Sequence, residues 1–293
     1  MKITDILEKL QELAANTADK GALFERFVMQ YLRATRIYGE FKEIWRWSDW
    51  PLNQEQHDTG IDLVALTESG EYWAFQCKFF DPASKVSKHD IDSFLSASAV
   101  NFTDEEGGTH TFSARYVVAT CEIGQNAYQT MNAQTIPANF ISAKQFDLSG
   151  INWDIFWDQF TEQVSGSAED ARIAPKELRP HQQNAFNDVL HGFETCERGK
   201  LIMACGTGKT FTSLRIAEGI VPEGGVMLYL VPSLSLLGQT LCAWTIDAKR
   251  TLRPILVCSD TSINEQDARK KKALKDSEDQ TLLSVSDLAQ PAS

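Results

Sequence analysis

The spacing of apolar residues changes period several times along the chain, and each change predicts an element. Residues 1–15 carry apolar side chains at helical intervals among charges, and Gly21-Ala22-Leu23-Phe24-Glu25-Arg26-Phe27-Val28 lies in a second amphipathic helix running through Arg36. Residues 60–67 and 71–80 are short apolar runs rich in β-branched and aromatic residues, separated by Ser69-Gly70, so they predict two strands and a tight turn. A helix over 88–100, a strand over 112–120, a helix over 125–133 and a short strand at Phe140-Ile141 follow. Residues 151–164 place Trp153, Phe156, Trp157 and Phe160 at helical spacing, a closing helix whose aromatics belong to a core. The polar run Ser165-Gly166-Ser167-Ala168-Glu169-Asp170 reads as a linker, giving a first domain over 1–165 and a second over 166–293. In the second, strands are expected at 201–205, at 226–231 and from Ile255, with a helix over 209–220 between the first two. Beyond Asp260 the chain turns polar and charged, through Arg269-Lys270-Lys271-Lys272, to Ser293.

The strand at 201–205 runs into Cys205-Gly206-Thr207-Gly208-Lys209-Thr210. Glycines there let main-chain N–H groups converge on phosphate oxygens, and the following helix adds its positive end. The Lys209 ammonium reaches the outer phosphates and the Thr210 hydroxyl suits Mg²⁺, so the segment is a nucleotide-phosphate cradle. Met203 stands where the widest form of this pattern has its first glycine, but close approach is needed only in the second half of the loop. Upstream, Leu178-Arg179-Pro180-His181-Gln182-Gln183 offers an amide, which presents a donor and an acceptor together as an adenine edge requires. These segments resemble the glutamine motif and motif I of superfamily-two helicases and translocases, with Gln182 at the adenine-reading position. Residues 232–240, hydroxyl-rich and opening a helix, resemble motif Ia, where such proteins grip a DNA phosphate. ATP and Mg²⁺ are the ligands the resemblance implies, held by Gln182, Gly206, Thr207, Gly208, Lys209 and Thr210. The Asp-Glu pair with which such ATPases hold Mg²⁺ and orient water does not follow, and Asp260 comes too early to supply it. The expectation is a partial RecA-like lobe from the front of a longer motor, competent to bind nucleotide and a poor ATPase by itself.

The hairpin of the first half carries different chemistry. Positions two apart on a strand share a face, so Gln76 and Lys78 point the same way, and the hairpin can bring Asp62 beside them. A carboxylate, an amide oxygen and an ammonium then converge where a divalent metal and a phosphodiester fit. Asp62 with Gln76-Cys77-Lys78 resembles the PD-(D/E)xK nuclease signature in its Mrr-like form. That resemblance implies a restriction-endonuclease-like α/β core. It also implies Mg²⁺ on Asp62, on the Gln76 amide oxygen and on the Cys77 carbonyl, with Lys78 positioning or activating water and Glu25 as the helix carboxylate completing the site. Gln76 replaces the second carboxylate of the founding pattern, which lowers the charge available to a metal. His57-Asp58, just upstream, lies at the margin of this group.

Composition narrows the setting. At 293 residues and 43% hydrophobic the chain can bury two modest cores, and no apolar run is long enough for a membrane span or signal sequence. Six cysteines without a C-x-x-C pair point to reduced thiols in a cytoplasmic protein, with Cys77 and Cys205 as small packing residues. A net charge of −12 opposes a nucleic-acid partner only on average, because the field in one cleft depends on local charge. Lys85 and Lys88, with Ser84 and Ser87, are expected to line a basic DNA groove after the Lys78 strand.

A nuclease of this kind followed by a helicase-like ATPase resembles the N-terminal portion of single-chain Type I-like (Type ISP) restriction-modification enzymes. The resemblance implies ATP-driven translocation on double-stranded DNA coupled to cleavage, with dimerisation on DNA left open. Two other readings compete with it. One is a stand-alone DNA repair helicase whose front domain binds DNA without cutting, and the other is a non-catalytic DNA-binding or assembly fragment.

Overall fold

The computed structural model describes residues 1–35, 38, 41–53, 60–104, 106–136, 138–146, 149–162, 168–222, 224–250, 252, 254, 256–257 and 288–289. Within it the chain separates into two compact units, one over Met1–Arg172 with Leu283–Ala289 and one over Ile173–Leu282 with Gln290–Ser293.

The first unit opens with helices α1 (Ile3–Leu13) and α2 (Thr17–Ala34); α2 starts where the Asn16 side chain accepts from Asp19 N. Strand β1 (Phe41–Arg46) follows, an element absent from the sequence expectation. The expected hairpin is β2 (Leu63–Thr67) and β3 (Tyr72–Lys78), antiparallel with Leu63 opposite Phe75. Two-residue strands β4 (Lys85–Val86) and β8 (Glu122–Ile123) pair in parallel beside the sheet. Between them lie helix α3 (Lys88–Ala97), the small hairpin of β5 (Phe102–Thr103) and β6 (Thr109–His110), and strand β7 (Phe112–Ala119). Helix α4 (Gln125–Asn132), strand β9 (Ala138–Ser142), helix α5 (Ala143–Phe146) and helix α6 (Trp153–Glu162) complete the unit. The sheet runs β1-β2-β3-β7-β9, antiparallel through β3 and parallel from β3 to β9.

Strand alternation divides the core into two layers. Phe75, Val118 and Ile141 pack with Phe24, Phe27 and Val28 of α2 and with Trp153, Phe156 and Phe160 of α6, so the closing aromatics are core as their spacing predicts. Ala74, Val117 and Ala119 pack on the opposite face with Ile91 and Phe94 of α3 and Ala127 and Met131 of α4. Arg115 also enters that second layer, with 1% of its surface exposed. It donates to Leu95 O and Ser98 Oγ at the end of α3 and to Ile136 O, so main-chain dipoles take the place of a carboxylate. Burial holds its pKa below the ordinary arginine value. The unit extends to Ala171, buried in the first layer, and Arg172, whose guanidinium donates to Ala34 O and Arg33 O; residues 165–167 of the expected linker lie outside the described residues.

The second unit contains helices α7 (Pro180–Phe193), α8 (Lys209–Ile220) and α9 (Leu234–Asp247). Leu214, Trp244 and Ala248 make its small core, and Trp244 Nε1 donates to Thr210 O at 2.8 Å, tying α9 to the first turn of α8. Buried Arg215 pairs with Glu218 at 2.5 Å and donates to Lys176 O, while Lys176 reaches Asp247 at 2.9 Å. The strands expected at 201–205 and 226–231 are not formed: neither segment pairs with a strand among the described residues. Ile202 is 90% exposed, Val226 95% and Leu230 81%. An apolar run becomes a strand only when a neighbour takes up its amides and carbonyls, and among the described residues these segments have the pattern without the partner. The third expected strand survives as Leu256–Val257, and Asp260 lies outside the described residues.

Candidate functional site

The nuclease-like group is assembled by the sheet. Gly60 approaches α3 so closely, at φ +85°, that a Cβ there would lie 2.6 Å from Ser93 Oγ and 2.9 Å from Phe94 N. The chain can therefore reach β2 only through a glycine, a requirement invisible in the residue pattern. Asp62 follows, clamped by its main chain: its N–H donates to Phe75 O and its carbonyl accepts from Trp47 N. Its carboxylate accepts from Cys77 N at 2.6 Å, so Asp62 lies across the strand pair from the Gln76-Cys77-Lys78 stretch.

Gln76 is 1% exposed, and among the described residues its Oε1 has no hydrogen-bond partner. A buried amide oxygen left unpaired costs about 1–3 kcal/mol, which an otherwise apolar strand position would avoid. Alternation places Cys77 and Phe79 on the α2 side, while Ala74 and Phe80 pack on the α3 side. Gln76 and Lys78 therefore project toward α3, and Lys78 is one of the charges acting on Asp90 of that helix. At Asp90 burial works to raise the pKa, but hydrogen bonds from the Ser87 hydroxyl and amide, with Lys78 and His89 nearby, hold it below the usual carboxylate value. Burial pushes the Cys77 thiol well above its ordinary range, and the Asp62 and Glu25 charges act in the same direction against Lys78. The charges of Asp62, Glu25 and Lys78 therefore all act on this one half-buried thiol.

This geometry fits an oxygen-ligated divalent cation in part. The Asp62 carboxylate and the orphaned Gln76 oxygen are hard donors of the kind Mg²⁺ takes. Among the described residues no three His, Cys, Asp or Glu side chains gather as a metal cage, so Glu25 stands near the group without closing a cluster. His57 and Asp58 lie outside the described residues.

The expected groove after Lys78 is largely committed to the protein itself. Lys88 is paired with Asp92 at 2.6 Å, Ser87 bonds Asp90 in the capping box of α3, and Ser84 Oγ donates to Asp81 O. Lys85 is exposed on β4.

In the second unit the cradle has the expected backbone. Gly206 and Gly208 take φ +77° and +84°, and Gly208 caps α8. Lys209 Nζ rests on the loop's own Ala204 O at 3.1 Å, and Thr207 Oγ1 donates to the same carbonyl at 2.8 Å. Thr210 occupies the first turn of α8. Gln182, expected at the adenine-reading position, is turned onto the main chain of its own helix start and of the loop. It is buried, its Oε1 accepts from Arg179 N at 2.9 Å, and its Nε2 donates to Thr207 O at 3.0 Å. His181 Nε2 lies 3.2 Å from that same oxygen, a second tether the sequence did not suggest. Cys205, expected to be packed, is exposed. Among the described residues no helix is long and apolar enough to cross a membrane.

Comparison with known proteins agrees with both halves. Residues 34–163 match the family described as restriction endonuclease, and residues 175–292 match the family described as Type III restriction enzyme, res subunit. No curated protein matches the chain. Among solved structures, the ATP-dependent Type ISP restriction-modification enzyme LlaBIII bound to DNA is similar over 88% of this chain at 31% identity and a TM-score of 0.65. The chain spans 15% of that enzyme's length. The MspJI restriction endonuclease in complex with a 27-mer oligonucleotide aligns at 13% identity and a TM-score of 0.33, over 61% of this chain and 37% of that one, too distant to bear on the fold. The chain thus joins a mixed α/β restriction-endonuclease domain to a helicase-like domain of the Type III res-subunit family, and the two together match a Type ISP restriction-modification enzyme.

Proposed function

We propose that the first unit is an Mg²⁺-dependent endodeoxyribonuclease acting on double-stranded DNA, and that the second binds ATP as part of a DNA translocase coupled to it. The observation that carries the nuclease reading is the buried, unpaired Gln76 Oε1 lying across the strand pair from the Asp62 carboxylate. Asp62 and Gln76, with the Cys77 main-chain carbonyl, would hold the metal, which when bound polarises the phosphodiester and lowers the pKa of water. Lys78 leaves β3 on the same side as Gln76 and forms no salt bridge among the described residues. Its ammonium is available to orient the attacking water and to stabilise charge developing on the phosphate. Glu25 adds negative charge on the α2 side, where it can accept a hydrogen bond from water.

In the second unit, Gly206, Thr207 and Gly208 present main-chain donors to phosphate, and Lys209 exchanges its loop carbonyl for the outer phosphates. Thr210 would ligate the accompanying Mg²⁺. Gln182 serves the site twice, holding the loop through Thr207 O and reading adenine when Nε2 exchanges that carbonyl for the base. A setting in the cytoplasm, as part of a restriction system acting on foreign DNA, suits this reading.

Supercoiled plasmid incubated with the full chain and Mn²⁺ or Mg²⁺ tests the nuclease. Nicking is expected from the parent and not from Asp62→Ala or Lys78→Ala, both folded by circular dichroism. Equal cutting by parent and Lys78→Ala would remove the assignment.

A further inference from the structure

We propose that Lys20, on the first turns of α2, is a phosphate-binding residue for the DNA strand entering the nuclease centre, and that Gly21 beside it leaves room for that strand. The inference rests on the nuclease reading of Asp62, Gln76 and Lys78 and extends the site to a side of the sheet from which the sequence suggested only Glu25.

An acidic protein that binds DNA must concentrate positive potential where carboxylates do not cancel it. Of the expected cations after β3, Lys88 is held by Asp92, and Lys85 lies beyond that strand on β4. On α2, Arg26 and Arg33 are turned onto the main-chain carbonyls of Phe160 and Ile44. Lys20 differs. No carboxylate pairs with it among the described residues, and its Nζ stands 4.4 Å from the ring centroid of Phe79, the residue directly after Lys78. That ring stacks on Phe24 at 5.1 Å, so the platform under the ammonium is fixed to both α2 and the end of β3. Lys78 projects toward α3 while Phe79, and Lys20 over it, lie on the α2 side. A phosphodiester chain crossing the end of β3 meets one ammonium from each side.

Gly21 supplies a second, independent observation. Glycine within a helix lowers its stability, and natural helices keep one where something must come close. A Cβ built at Gly21 meets no protein atom within 4 Å, so packing inside the protein does not demand it. Gly21 lies four residues before Glu25, on the helical stripe that also carries the candidate site carboxylate. The space beside Gly21 is therefore open on the helical stripe that carries Glu25.

Binding of a duplex oligonucleotide by the full chain, measured without divalent metal across a salt series, separates binding from cleavage. Lys20→Met keeps the stem on Phe79 and removes one charge. Its log–log salt slope should be shallower than the parent's by about 0.9, so that between about 50 and about 200 mM salt it loses about threefold less affinity than the parent does. Lys20→Arg should keep the parent slope. Lys9→Met removes a cation that sits over Trp157, 5.3 Å from its ring centroid, and should also keep it. Gly21→Ala should raise the melting temperature yet weaken binding. An unchanged slope in Lys20→Met, or an equal fall in Lys9→Met, overturns the proposal and leaves the nuclease reading standing. Failure of the parent to bind duplex DNA overturns both.

Discussion

Replacing Gln76 by leucine separates function from stability at one atom. Its side chain is 1% exposed, and Oε1 is orphaned among the described residues. Removing an unpaired buried carbonyl recovers about 1–3 kcal/mol of desolvation, and the amide nitrogen donates no hydrogen bond among the described residues that the variant would lose. Leucine is close in volume, so the cavity contribution is small. The net expectation for Gln76→Leu is a gain of about 1–3 kcal/mol, which for a unit of this size is a rise in Tm of up to about 12 °C, at about 2–4 °C per kcal/mol. Cleavage should be lost, and Mg²⁺ should raise the Tm of the parent but not of the variant, since a ligand stabilises only the state that binds it. Thermal unfolding with and without Mg²⁺, paired with a plasmid-nicking assay, reads all three quantities. A fall in stability of more than about 1 kcal/mol, or cleavage retained at the parental rate, would show that Gln76 is an ordinary structural amide and refute the reasoning.

Three further outcomes follow from the same geometry. Gln182→Ala should weaken both ATP and GTP binding by calorimetry, because the amide holds Thr207 O, and ATP more than GTP, because it also reads adenine; a loss confined to ATP would rule out the loop role, and equal losses the adenine role. Arg115→Leu strands the carbonyls of Leu95 and Ile136 and should cost about 3 kcal/mol or more, at about 1–3 kcal/mol for each acceptor left unpaired, so an unchanged denaturation midpoint would contradict the buried network. Because its pKa is raised, the Cys77 thiol should stay protonated at pH 8 and label with iodoacetamide more slowly than exposed Cys196 and Cys205, followed by mass spectrometry; since the thiolate reacts, its rate should climb only as pH rises beyond the ordinary thiol range.

How much of this was legible in advance depends on whether a feature is local. Residues 62–78 could be read as a hairpin because alternation and a Ser-Gly turn are local signals, and with the hairpin came the pairing of Asp62 with Gln76-Cys77-Lys78. The glycine loop at 206–208 was legible for the same reason, since positive φ and a helix start are written in the residues themselves. The helical aromatics of α6 declared their burial through period alone.

Other features depend on what stands next to a segment in space. Strand β1 was missed because Phe41 to Arg46 becomes a strand only by pairing with β2. The apolar runs at 201–205 and 226–231 fail the opposite way, having the residues of strands and no ladder neighbour among the described ones. Lys88 looked like a phosphate contact until helix geometry set Asp92 one turn away, whereas Lys20 was unremarkable until β3 delivered the Phe79 ring beneath it. Gln182 looked free to meet a base, and its commitment to Thr207 O is a contact across 25 residues of chain. The sequence by itself determined which chemistry the chain carries, because donor, acceptor and charge are properties of residues. Which of those groups are spent on the protein and which remain for a ligand was decided by the tertiary structure, because pairing and burial are properties of neighbours.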